Sequence, residues 1–269
     1  MASSTKISEN IEGWSELRSQ LHSRSSISHR ELANLIANHI TVDTKYAIRR
    51  LCREGFLIRA SIPARGLYIV RSESTETEFL RNPVEAILTH IDKQIYFCYG
   101  TALFLHGISR YGRLTDYFVG TENNQNWRQL GQVRLHFIKT PVNDSIGVTT
   151  IPYVNLQIRL TDTERTLIDC IHRPKYAQGW ENVLHSIAKI GTINDEHIYI
   201  YLKKYRLPSL VAKTCLILEH YSTKLGISES ILGRLHGYLP RSPVRISRTS
   251  TGTLNKRWNI YVPEGFFPE

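Results

Sequence analysis

Residues Ser28–Val70 read SHRELANLIANHITVDTKYAIRRLCREGFLIRASIPARGLYIV, and the order of signals in this stretch decides the fold class. Ser28 and Glu31 form an S-x-x-E capping box, in which each side chain satisfies a free amide at a helix start. Leu32, Leu35 and Ile36 follow at helical spacing and give that helix one apolar face. Asn38-His39 breaks the pattern. Thr41, Asp43 and Thr44 are competent caps for a second helix reaching about Glu54, and Gly55 stands where a left-handed cap is expected. At about 100° per residue, Ile48, Leu51 and Cys52 fall on one side of that helix. Tyr46, Arg50 and Arg53 fall on the other, flanked by Asp43 and Arg49. Phe56–Arg59 and Gly66–Val70 then read as two strands joined around Pro63-Ala64-Arg65. Helix, turn, basic helix and hairpin in this order describe a winged helix-turn-helix, a module whose second helix enters the DNA major groove.

The candidate contacts follow from that placement. Arg50, Arg53 and Tyr46 are the groove contacts, because arginine hydrogen-bonds guanine edges or phosphates. Lys45 and Arg49 are the backbone-phosphate contacts, Thr44 at the helix start joins the DNA-facing set, and Arg65 tips the wing. The competing reading is a small α/β domain with a solvated basic face, which the ordered succession of signals disfavours.

The whole chain has 269 residues, enough for two domains with a core each. A hydrophobic fraction of 41% and a charged fraction of 22% are those of an ordinary globular protein. A formal charge of +10 and an isoelectric point near 9.5 point to a polyanion partner without naming it. No apolar run is long enough to span a bilayer, and the Ser-rich start lacks a signal-peptide core, so no membrane role and a cytoplasmic location are expected. Cys52, Cys98, Cys170 and Cys215 lie far apart with no C-x-x-C pair, as befits reduced thiols rather than zinc ligands.

Along the chain, residues 1–10 are expected to fray, and Trp14, Leu17 and Leu21 predict an amphipathic helix over Ile11–Leu21. The segment SESTETEFL at 72–80 carries three glutamates and no base, and marks an acidic linker over 72–81. Asn82 and Pro83 are a cap and a first helical position, followed by a stripe of Val84, Ile87, Leu88 and Ile91. Ile95–Ile108 is nearly all apolar or small and looks internal. DYFVG at 116–120, VRLHFIK at 133–139 and one or two segments within 148–160 read as strands. Helices are expected from Thr161 to Pro174, over 177–190, 195–205 and 209–224, and near 228–235. A closing strand is expected at 258–262.

Three segments carry a family resemblance. CYGTALFLHGI (98–108) resembles the Y-x-S-x-x-S-A-L-x-L-H-G-L signature of AbiEi-type antitoxins. TDTERTLIDCIHRPKYAQGWENVL (161–184) resembles that family's T-D-x-E-R-T-L-x-D-x-x-x-R-P-x-x-x-G-G segment, and ARGLY (64–68) its R-G-x-Y wing motif. The matches run in order from about residue 12 to about 205, with Tyr99-Gly100 where a serine is often seen and Gln178-Gly179 for the paired glycines. The resemblance implies an antitoxin and autoregulator of a type IV toxin–antitoxin system acting in phage defence. Its winged domain would repress its own promoter by binding repeated sites in double-stranded DNA. Its C-terminal domain would oppose a nucleotidyltransferase-type toxin. The fold expected is thus α+β: a winged helix-turn-helix over 1–71, the linker, and a mixed α/β antitoxin-type domain over 82–269 with a helical C-terminal half.

Other chemistry lacks its parts. No G-x-x-x-x-G-K-[ST], G-x-G-x-x-G or H-E-x-x-H occurs. Asp162, Glu164, Asp169 and His172 cluster, but Asp162 and Glu164 suit a helix N-terminus and Arg165–Asp169 an i,i+4 pair. His106, before Gly107, reads as a helix-end histidine. No catalytic residue, metal or cofactor is therefore assigned. Tyr199, Tyr201 and Tyr205 read as packing and rim residues. Arg241, Arg245, Arg248, Lys256 and Arg257 form a basic tail that is either a solvated surface or an added phosphate contact. Two rival functions remain: a winged regulator with a ligand-sensing C-terminal domain and no toxin partner, and a defence nuclease. No heptad or apolar strip argues for a stable dimer.

Overall fold

The computed structural model describes residues 2–24, 26–59, 66–70, 82–91, 95–121, 127–130, 133–142, 146–154, 156–247 and 251–268. Arg65 and the wing tip, the acidic linker and Arg248 lie outside the described residues. The chain is a mixed α+β protein that divides into two compact units, residues 1–94 with 126–136, and residues 95–125 with 137–269. The helix after the linker thus groups with the first unit rather than opening the second.

The first unit begins with helix α1 (Ala2–His22), so the expected fraying of the first ten residues is replaced by helix from Ala2. Trp14, Leu17 and Leu21 are buried as their spacing requires. Strand β1 (Ser26–Ser28) leads directly into helix α2 (His29–His39), whose N-cap is Ser28. The capping box closes in both directions: Glu31 N donates to Ser28 Oγ at 3.2 Å, and Ser28 N donates to Glu31 Oε2 at 3.2 Å. After four residues, helix α3 (Thr44–Arg53) starts on Asp43, whose carboxylate accepts from Tyr46 N at 3.0 Å. Gly55 takes the left-handed conformation at φ 72° and turns the chain into strand β2 (Leu57–Arg59). Strand β3 (Leu67–Val70) lies between β1 and β2, antiparallel to both. The short strand β1, absent from the sequence reading, completes this sheet. Leu32, Ile36, Ala47, Ile48, Leu51 and Leu57 pack with the α1 residues into one core. Helix α4 (Pro83–His90) has Asn82 as its cap and Pro83 at its first turn. Of its expected stripe, Val84 and Ile87 are buried, whereas Leu88 and Ile91 are only half-buried.

The second unit follows the pattern of apolar strands and helices read from the sequence. Strand β4 (Tyr96–Phe97) runs into the buried helix α5 (Tyr99–Leu105), then strand β5 (Asp116–Thr121). A hairpin of β6 (Arg128–Leu130) with the start of β7 (Val133–Lys139) belongs to the first unit. In the second, β5, β4, β9 (Leu156–Thr161) and β8 (Val148–Tyr153) lie side by side in that order. The β4–β9 pair is parallel and the others antiparallel. Helix α6 (Thr163–His172) is capped by Asp162, and a 3-10 turn at Pro174–Ala177 follows. Helices α7 (Trp180–Lys189), α8 (Asp195–Tyr205) and α9 (Pro208–His220) pack around α6. The helix expected over 209–224 breaks at Tyr221, where φ is −102° and ψ 17°, and restarts as α10 (Ser222–Leu225), which Gly226 stops. Helix α11 (Glu229–His236) precedes a three-stranded sheet of β10 (Val244–Arg245), β11 (Thr253–Asn255) and β12 (Ile260–Val262). No described helix is long and apolar enough to cross a membrane.

Replacing Ser28 by Ala removes one arm of the capping box and is expected to cost about 1 kcal/mol. Chemical denaturation of the variant, followed by circular dichroism, should show a lower midpoint at unchanged slope.

Candidate nucleic-acid interface

Helix α3 buries Ala47, Ile48 and Leu51 and turns its remaining face to solvent. Lys45, Tyr46, Arg49 and Arg53 are exposed, Tyr46 by 53%, and Thr44 is half-buried at the helix start. Tyr46, Arg49 and Arg53 are spaced i, i+3, i+7 and therefore share one side of the helix. None of Lys45, Arg49 and Arg53 has an ion-pair partner among the described residues.

Arg50, expected as a groove contact, differs from these in having partners within the protein. Its Nε donates to Glu54 Oε1 at 2.8 Å, one turn along the helix, and its guanidinium lies 4.3 Å from the centre of the Trp14 ring. Arg18 of α1 donates to the other Glu54 oxygen at 2.6 Å. Burial pushes the Glu54 carboxyl up, but the hydrogen bonds from Arg50 and Arg18 outweigh it and hold the group below its ordinary value. Arg50 thus fastens α3 to α1. Arg49, read as a flanking phosphate contact, is the arginine nearer the middle of the open face. The spacing within α3 placed both arginines outward; the tryptophan that captures one of them lies on another helix, where no period within α3 can show it.

The acidic cluster of the second unit is occupied by its own fold. Asp162, Glu164 and His197 bring ligand-type atoms within 4.8 Å of one another. Yet Asp162 accepts from Arg165 N at 2.8 Å and from the Tyr201 hydroxyl at 2.6 Å, while Glu164 accepts from Asn194 N at 2.8 Å. His106 Nε2 donates to the Thr161 carbonyl at 2.7 Å.

Arg165 is fully buried, which sequence spacing did not reveal beyond its pairing with Asp169. One terminal nitrogen donates to the Ile146 carbonyl. The other reaches Val142 O at 2.9 Å, Tyr96 Oη at 3.1 Å and Thr140 Oγ1 at 3.2 Å. Nε stands 3.6 Å from Asp169 Oδ2. Asp169 also accepts from the Tyr205 hydroxyl. Burial drives the Asp169 carboxyl up from 3.8 to about 6, against the pull of Arg165 and Tyr205. Burial, helped by Arg173 and Lys213, lowers His172 from 6.5 to about 4.

In the tail, Arg257 is engaged by Glu219 and Glu229 and lies over Trp258, whereas Arg241, Arg245 and Lys256 are exposed. Tyr201 and Tyr205 are buried in the core and Tyr199 half-buried at its edge.

No family model and no curated protein matches the chain. Among solved structures, it is similar to the crystal structure of the RV2827C protein from Mycobacterium tuberculosis, with a TM-score of 0.68 at 15% identity. That match covers 92% of this chain and 90% of the other. At this identity the likeness is one of fold.

The two shifted groups pull stability in opposite directions on acidification. Asp169, raised in the folded state, contributes stability that is present below pH 3.8 and lost as pH rises through about 6. His172, depressed, contributes stability that is present above pH 6.5 and lost as pH falls through about 4. Asp169→Asn should therefore lose more stability than the parent between pH 7 and pH 4, and His172→Gln less, relative to each protein's own value at pH 7. Scanning calorimetry across that range reads both slopes; parallel curves for all three proteins would refute the assignment.

Proposed function

We propose that the protein is a DNA-binding, non-catalytic antitoxin that represses its own promoter. In this reading residues 1–71 are a winged helix-turn-helix, with α2 and α3 as its helical pair and β2 and β3 as the stem of its wing. The sheet order β1-β3-β2 and the four-residue connection between α2 and α3 support it. The observation that carries it is the open face of α3, where Tyr46, Arg49 and Arg53 stand exposed beside Lys45, over a helix base sealed by Ala47, Ile48 and Leu51. Arg49 and Arg53 take the groove-facing role, Lys45 and Thr44 the neighbouring phosphates, and Arg50 holds the helix in place. Arg65 remains the wing-tip contact of this reading. The antitoxin part, with a nucleotidyltransferase-type toxin as its counterpart, rests on the resemblance of residues 98–108 and 161–184.

A regulator whose second unit senses a ligand is the second reading, favoured by a cleft at the end of α8 lined by Leu202, Lys203, Lys204, Arg206, Val211 and Tyr238.

The first test is binding of the full chain to the DNA upstream of its own gene and to scrambled DNA at two salt concentrations. Selective binding is expected. Arg49→Ala or Arg53→Ala should each cost about 1–3 kcal/mol where the residue reads a base, and relax specificity at one position. Lys45→Ala should weaken both DNAs alike and flatten the salt dependence by about one phosphate. Arg50→Ala should lower the stability of the first unit more than it alters base preference. Equal, salt-erased binding to both DNAs would reduce the +10 charge to general stickiness.

A further inference from the structure

Helix α8 ends at Tyr205, Arg206 takes the left-handed conformation at φ 53°, and Pro208 starts α9, so two residues join the helices. At this junction the second unit has a cleft of about 500 Å³, within the range of small-molecule sites. Its apolar wall is made by Leu202, Leu207 and Val211, of which Leu202 and Val211 are buried. Its polar rim is Lys203, Lys204 and Arg206, all exposed, with the Tyr238 ring at one side. No carboxylate lines it. The nearest acids along α8 are already committed, Asp195 to the Ser228 hydroxyl and Glu196 to Arg234. Neither Lys204 nor Arg206 has an ion-pair partner among the described residues. Tyr238 is held in place by Tyr199, whose hydroxyl is 3.3 Å from its own and whose ring carries the Arg234 guanidinium at 3.8 Å.

We propose that this cleft binds a small amphipathic anion, with an apolar body against Leu202, Leu207 and Val211 and a carboxylate or phosphate head among Lys203, Lys204 and Arg206. Three cations with no carboxylate among the lining residues favour an anion, although Lys203 also lies over the Tyr199 ring, and an apolar wall of this size favours an amphipathic ligand over a bare inorganic one. The site involves no residue of α3, so it stands or falls apart from the DNA-binding reading.

Titration calorimetry of the full chain tests it with four probes: 1-naphthoate, 1-naphthyl phosphate, neutral 1-naphthalenemethanol and inorganic phosphate. At least one naphthyl anion should bind roughly tenfold or more tightly than the neutral analogue, the difference expected of hydrogen bonds to charged groups. It should also outbind inorganic phosphate, and the better of the two heads identifies the ligand class. Lys204→Gln with Arg206→Gly, the glycine keeping the left-handed backbone, should erase that preference while thermal unfolding stays unchanged. If this pair unfolds the protein, Lys203→Gln alone should weaken the anion and leave the neutral analogue as it was. The proposal is overturned if neutral and anionic probes bind alike, if inorganic phosphate binds as well as the naphthyl anions, or if the rim variants bind as the parent does. Binding of a glutamate-rich peptide with neither naphthyl anion would also overturn it, in favour of an acidic protein segment. Arg49→Ala should leave every one of these affinities unchanged.

Discussion

The buried guanidinium of Arg165 is the constraint around which the second unit is arranged. A charge without solvent is expensive unless it is paired and hydrogen-bonded. Here the partners come from distant parts of the chain: carbonyls of Val142 and Ile146, hydroxyls of Tyr96 and Thr140, and the Asp169 carboxylate one helical turn away. Tyr96 in turn needs room. It pairs across the sheet with Gly120, and a Cβ at that glycine would lie 2.1 Å from the Tyr96 ring. Strand β5 thus carries a glycine in its interior, ordinarily a weakness in a strand, because the tyrosine lies over it. One arginine fixes α6, the segment before β8 and two neighbouring strands together.

The arginines of the first unit are used differently. Arg18 and Arg50 share the two oxygens of Glu54 at the surface, with Trp14 beneath. Exposed ion pairs contribute little singly, so the gain lies in geometry: the tryptophan and the carboxylate hold α1 and α3 in one relative orientation. Arg49 and Arg53 on the same helix are left without such partners. A single helix therefore divides its basic residues between holding its own position and facing outward, and its core residues stay the same for both.

Much of this was legible beforehand where the signal is local. Ser28, Asp43, Asn82 and Asp162 cap the helices that their positions announced, and α8 runs from Asp195 to Tyr205 as read. Capping and periodicity act within a few residues, so one stretch of sequence contains the whole cause. The α3 face was legible as a basic face, but which arginine would be free on it was not, since Trp14 is 36 residues from Arg50. Strand β1 escaped because three residues, Ser-Ile-Ser, carry no period of their own and are strand only because β3 lies beside them. The burial of Arg165 escaped for the same reason: its partners are scattered over the chain. The break at Tyr221 had no glycine or proline to announce it.

Those scattered partners also set an order of events in time. Tyr96 lies 69 residues from Arg165, and Val142 lies 23 away. The strand pairings of β1, β2 and β3, by contrast, all fall inside residues 26–70. Contacts between chain-distant residues form slowly because loop closure precedes any reward. During synthesis from the N-terminus, the three strands and two helices of that region can close while α6 is still unmade. The arginine core can close only once residue 169 has emerged, after every residue of those strands and helices is already made.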